Sequence, residues 1–246
     1  MRPAVLLLLL APLAHAAGEE TWKGSGELGL AVSRGNASSE NLNTKLDFVN
    51  EGRGFKHKLS ASALRARGLV RGDFDGDGID EERSRTTANR YALAATTNLD
   101  VNKRVYWLGA LRHEHDDFAA FEQQSTASLG FGYRALLGEE RSLSAEFGPG
   151  YRRSTRADGE GESDAIFRGA LDYKQKLTAN TTLANNLLVE SGEANTFLQN
   201  DLGVSVAMNE QLALKAGIQL RHNNTVERGR ERTDSLTTIN LVYTIK

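Results

Sequence analysis

Cysteine is absent from the 246 residues, so the chain can form neither a disulfide framework nor a thiolate metal site, and it cannot carry the acylated cysteine of a lipoprotein. Proline is scarce, at 3 residues. No uninterrupted apolar run reaches the roughly 18 residues that a helix needs to cross a bilayer, which excludes helical anchoring. An excess of one charge is lacking too. Thirty Lys and Arg against 32 Asp and Glu give a formal net charge of −2, and nothing in that balance indicates nucleic acid as a partner.

The chain does carry an export signal and a strong period of two. Arg2, an apolar core from Val5 to Leu13 and the small-x-small sequence Ala14-His15-Ala16 read as a secretory signal peptide, residues 1–16, cleaved after Ala16. From Trp22 onward, apolar and polar residues alternate in runs separated by turn-rich breaks. Leu28, Leu30 and Val32 oppose Glu27, Gly29 and Ala31, and Leu46 and Phe48 oppose Lys45 and Asp47. Phe55, Leu59 and Ala61 oppose Lys56, Lys58 and Ser60, and Leu129, Phe131 and Tyr133 oppose Ser128, Gly130, Gly132 and Arg134. Only the run from Val105 to Leu111 is apolar on both faces, so its register stays open.

About twelve such runs can be counted. Spread over residues 17–246 they leave about 19 residues per strand and connection, enough for membrane strands of roughly 9 to 11 residues. A mean hydropathy of −0.44 agrees with a sheet that shows only alternate residues to lipid. The expected fold is therefore all-β, a transmembrane antiparallel up-and-down β-barrel over residues 17–246, placed in the bacterial outer membrane. A soluble barrel would turn its apolar face inward, and about twelve strands would enclose more space than side chains fill. The connections over 68–83, 154–162 and 223–232 read as long and those at 51–54 and 209–210 as tight, the long ones extracellular.

Several segments resemble a family of proteobacterial outer-membrane barrels described as salt-induced outer membrane proteins. The carriers are Gly26-Glu27-Leu28-Gly29 with Ser33-Arg34-Gly35-Asn36, the stretch from His113 to Phe121, Gly130-Phe131-Gly132-Tyr133-Arg134 and Gly148-Pro149-Gly150-Tyr151-Arg152. The resemblance implies a location, a fold and a non-enzymatic structural or envelope-stress role of the salt-tolerance type. It also implies outer-membrane lipids and lipopolysaccharide as surroundings and the barrel-assembly machinery as a partner during insertion. Barrels of this type commonly end on an aromatic residue, whereas this chain ends Val242-Tyr243-Thr244-Ile245-Lys246.

Two other functions stay open: a narrow pore for small polar solutes or ions, and an outer-membrane hydrolase with His113 or His222 as base, for which no nucleophile-elbow pattern is present. No cofactor is required by any motif. A structural Ca²⁺ would suit the loop Gly72 to Glu82, where Asp73, Asp75, Asp77 and Glu81 stand at ligand positions resembling the calcium loops of integrin-type repeats; the alternative is a solvated acidic loop. His113, His115 and Asp117 share a strand face and could approach a metal, although charged residues where a strand leaves the membrane explain them as well. Arginines gather near the expected outer edge: Arg65, Arg67, Arg71, Arg83, Arg85, Arg152, Arg153, Arg156, Arg221, Arg228, Arg230 and Arg232. They would suit lipopolysaccharide phosphates, or else pair with Glu160, Glu162, Glu227 and Glu231. Lumenal charges of both signs, among them Glu27, Lys45, Asp47, Lys58, Asp201, Lys215 and Arg221, allow either a narrow channel or a cross-linked, closed bore.

Overall fold

A computed structural model describes residues 22–34, 39–73, 78, 81–119, 121–156, 159–226 and 231–245; the expected signal peptide, residues 1–16, lies outside them. Twelve strands follow one another: β1 (Lys23–Arg34), β2 (Ser39–Gly52), β3 (Phe55–Gly72), β4 (Glu81–Asp100), β5 (Val105–Asp116), β6 (Phe121–Leu137), β7 (Arg141–Arg156), β8 (Gly161–Lys176), β9 (Thr181–Gly192), β10 (Thr196–Ala207), β11 (Leu212–Asn223) and β12 (Thr233–Ile245). Each pairs antiparallel with its sequence neighbours, and β1 pairs β12 from Gly24↔Ile245 to Arg34↔Ser235, closing the ring. The closed twelve-strand barrel expected from alternation is the fold. Closure matters because a free sheet edge in hydrocarbon would leave backbone N–H and C=O groups without partners.

The apolar face points outward. On β6, Leu129 is 72% exposed while Ser128 beside it is 6% exposed, and the same inversion runs along the strand from Gln124 to Tyr133. β5 takes the register that its sequence left open: Trp107 and Leu111 face out, whereas Tyr106 and Leu108 are buried inside. Outside, the Trp107 and Phe131 rings pack across the strands with centroids 4.0 Å apart. Inside, Tyr106 fits because Gly132 has no side chain; a Cβ there would lie 2.0 Å from the tyrosine ring.

The two glycine and aromatic motifs that carried the family resemblance lie side by side on β6 and β7. A Cβ at Gly130 would fall 2.2 Å from the carbonyl oxygen of Phe147, and one at Gly148 would fall 2.6 Å from the Cα of Gly130. The ladder is interrupted between the pairs Ser128↔Gly150 and Phe131↔Phe147, where Pro149 has no N–H to offer. Close backbone approach replaces hydrogen bonding at this point.

Five connections at one end, including 53–54, 101–104, 138–140, 177–180 and 208–211, are tight; this turn end also holds β1's start and β12's finish. The opposite loop end differs from expectation in two places. β3 and β4 stay paired as far as Gly72↔Glu81, so the connection expected over 68–83 is only 73–80, and the one expected over 154–162 is only 157–160. Charged and glycine-rich sequence read as loop, yet a paired hairpin satisfies its own backbone beyond the membrane as well as within it. At 18 and 20 residues, β3 and β4 exceed what a membrane crossing needs.

Gly130→Val is expected to lower stability by roughly 2–4 kcal/mol, because the new side chain meets backbone and cannot be relieved by a rotamer. Gly169→Ala, whose Cβ would meet nothing nearer than 4.0 Å, serves as the control. Urea midpoints followed by the heat-modifiable gel shift of the folded barrel check both.

Candidate functional site

Inward-facing side chains fill the loop half of the lumen, and their order along the strands determines which charges meet. Arg221 of β11 donates to both Glu114 and Asp116 of β5, the latter at 3.3 Å. These strands stand six positions apart in a ring of twelve, so the pairs cross the full bore. Arg112 of β5 donates to Glu114 at 2.7 Å and to Glu190 of β9 at 2.6 Å. Glu190 is only 1% exposed and also accepts from Thr126 Oγ1 at 3.3 Å. Phe197, 1% exposed, packs against both arginines, its ring centroid 4.7 Å from the Arg112 guanidinium carbon and 5.1 Å from that of Arg221.

Further pairs extend this layer. Arg152 of β7, 1% exposed, holds Asp164 through two N–H groups at 3.2 and 2.9 Å and the carbonyl of Asn195 at 2.6 Å. Arg90 of β4 donates to Gln219 of β11 at 2.7 Å, and Gln219 donates in turn to Asp201 at 2.6 Å. Beside them Leu64, Ala66, Ala88 and Leu236 form a small apolar cluster inside the barrel. Nearer the turn end, Glu146 accepts from Tyr106 and Arg168, both at 3.0 Å, and Arg134 stacks over the Tyr106 ring. Glu27 holds Lys215 at 2.8 Å and Asn240 at 2.9 Å, while Lys45 meets Asp47 at 3.1 Å.

The alternation had placed Glu27, Lys45, Asp47, Lys58, Arg134, Asp201, Lys215 and Arg221 inside, and they are there. It missed Arg90, Arg112, Glu114 and Glu190. Their parity along each strand was the available signal, but Arg112 and Glu114 were absorbed into the charged end of β5. Arg152 and Arg221, grouped with the outer-edge arginines, are buried in the lumen and cannot reach lipopolysaccharide. Arg156 packs over Phe121 and pairs with Glu162 at 3.6 Å, while Arg65 and Arg153 are exposed on the outside.

The four described histidines face outward. His113 bonds Ser125 at 2.8 Å, His57 bonds Thr97 at 3.0 Å and His222 bonds Thr233 at 2.9 Å, each the direct cross-strand neighbour. The threefold recurrence marks His113–Ser125 as strand pairing rather than as a catalytic dyad, and no carboxylate or amide among the described residues orients the other nitrogen of His113. His115 parts from His113 and meets Asp117 at 2.6 Å, with Glu122 4.0 Å from its other nitrogen. The β-bulge at the start of β6 turns Glu122 outward to this place. The Asp117 carboxyl, in the turn after β5, is held below the usual carboxylate range by the amide of Asn89 and by His115.

In the acidic loop, the Asp73 carboxylate accepts the Gly78 N–H at 2.8 Å, and Gly78 has a φ of 81° that favours glycine. Glu81 begins β4, while Asp75 and Asp77 lie outside the described residues.

The family described as "Protein of unknown function, DUF481" matches residues 26–245. The chain belongs to this family. No curated protein matches it. Among solved structures, the chain is similar to the NanC porin, with 9% identity and a TM-score of 0.57 over 89% of this chain and all of that one. It is also similar to the translocator domain of the autotransporter NalP from Neisseria meningitidis, with 12% identity and a TM-score of 0.53 over 92% of this chain and 89% of that one. At such identities the likeness is one of fold, a closed antiparallel β-barrel.

Replacing Arg152 by Ala leaves Asp164 buried beside a bare carbonyl and is expected to cost about 3–5 kcal/mol. A urea unfolding midpoint close to that of the unchanged protein would contradict the account of this pair.

Proposed function

We propose that the protein is a non-enzymatic outer-membrane barrel, shut at its loop end, that serves the envelope as a structural cylinder in the salt-tolerance manner implied by the family resemblance. The contact between Arg221 and Glu114 carries this reading, because it joins strands on opposite sides of the ring. Around it, Phe197, Arg112 and Glu190 on one side and the Leu64 to Leu236 cluster on the other occupy the space through which a solute would pass. A charge so placed is expensive to move: opening the bore means separating partners in a region of low dielectric.

A second reading, a narrow pore for small polar solutes or ions, draws on the cavity of about 320 Å³ inside the same lumen. Planar-bilayer recording separates the two. The unchanged protein is expected to insert without current steps, and the pair of substitutions Arg112→Ser and Arg221→Ser is expected to produce them; steady steps from the unchanged protein would favour the pore.

At the rim, exposed Arg65 and Arg153 suit lipopolysaccharide phosphates, and insertion would pass through the barrel-assembly machinery. The Asp73, Asp75, Asp77 and Glu81 loop belongs to the same proposal as a structural Ca²⁺ site. Titrating the protein with Ca²⁺ is expected to give a heat signal that replacing Asp73, Asp75 and Asp77 by Asn removes.

A further inference from the structure

The 320 Å³ chamber lies beside the loop-end plug, and along β11 its lining residues Lys215, Gly217 and Gln219 stand on the turn side of Arg221. The charges around it do not cancel where they stand. Lys215 is matched by Glu27. Lys45 and Lys58, however, share the one carboxylate of Asp47, at 3.1 and 3.9 Å.

Arg90 has less. Its single hydrogen bond among the described residues goes to the neutral oxygen of Gln219, and no ion pair joins it there. Its remaining N–H groups lack protein partners, yet they are not among the buried atoms cut off from space, so they open on the chamber that Arg90 lines. The carboxylates that face it, Glu114, Asp116 and Asp201, are each held elsewhere: Glu114 and Asp116 by Arg221, and Asp201 by the amides of Gln199 and Gln219 at 2.7 and 2.6 Å. Lys45, Lys58, Arg90 and Lys215 thus stand against the carboxylates of Glu27, Asp201 and the neighbouring Asp47, which leaves one cation in surplus.

We propose that this chamber binds a small oxyanion, a carboxylate- or phosphate-bearing solute, with Arg90 as its principal ligand and Lys45 and Lys58 adding charge. A guanidinium fork matches the paired oxygens of such groups, and unpaired N–H donors are already turned toward the space they would occupy. Leu64 and Leu236, part of the apolar cluster, line the same chamber, and low-dielectric walls concentrate the field of the surplus charge on its interior. A volume of about 320 Å³ sits at the small end of ligand cavities and admits a metabolite-sized anion, not a polymer. The site does not depend on whether the bore conducts, because a closed barrel and a narrow pore would both contain it.

Calorimetric titration of the full refolded barrel in detergent at low ionic strength, with inorganic phosphate in one arm and acetate in the other, tests this. Saturable binding is expected in at least one arm, and the responding arm distinguishes phosphate from carboxylate chemistry. Arg90→Gln is expected to weaken it at least tenfold, Arg90→Lys to restore part of it, and Arg104→Gln at the turn end to leave it unchanged. No saturable binding in either arm, or undiminished binding by Arg90→Gln, would overturn the proposal. If Arg90→Gln loses its heat-modifiable mobility and does not fold, the double substitution Lys45→Gln and Lys58→Gln takes its place, with a tenfold loss expected and no loss overturning it. The titration reads binding without current, so a conducting barrel that binds and a silent barrel that does not remain separate outcomes.

Discussion

Closure of the backbone hydrogen-bond ring is the constraint from which the other features follow. Eleven consecutive residue pairs join β1 to β12, first strand to last, and leave no edge to face hydrocarbon. A closed ring of twelve strands has an inside and an outside, and strand geometry sends successive side chains to each in turn. Lipid takes the apolar set, so the polar set is committed to the lumen, where water is limited. Charges collected there must find one another or pay heavily for desolvation.

Glycine and bulky inward residues settle how those charges are arranged. Gly132 makes room for Tyr106, which braces Glu146 and Arg134, and the close approach of Gly130 to Gly148 draws β6 and β7 together. The two glycine and aromatic motifs on β6 and β7 are thus packing devices within the wall. In the loop half, Phe197 packs against two guanidinium groups that are themselves anchored by Glu114, Glu190 and Asp116. The result is a lumen filled toward one end and hollow beside the filling.

Much of the wall was legible in the chain. Leu129, Phe131 and Tyr133 against Ser128, Gly130 and Gly132 gave both the strand and its orientation, because a period of two is a local property. β5 resisted for a physical reason: Tyr106 and Leu108 are apolar yet inward, and what accommodates Tyr106 is a glycine on the next strand, not anything in β5 itself. The hairpin of β3 and β4 was read too short, since paired strands outside the membrane no longer need an apolar face. The contacts that fill the bore were beyond reach for another reason. Arg221 and Glu114 are far apart in sequence, and which residues meet across a cylinder depends on tilt and stagger that alternation does not encode. The outward His113 drew attention as chemistry, whereas the glutamate between His113 and His115 faces the lumen and makes the decisive contact.

The diametral pair also differs from surface charges in how it responds to dissolved ions. Ions in the medium weaken attractions between exposed charges over a Debye length of about 10 Å at moderate salt and about 3 Å in brine, while charges shut inside protein are screened far less. Arg221 and Glu114 are both nearly buried, so the tie between opposite walls is insulated from the bath. Exposed arginines at the rim answer to the ionic strength around them; the cross-brace does not. The barrel would keep its cross-section in fresh and saline water alike.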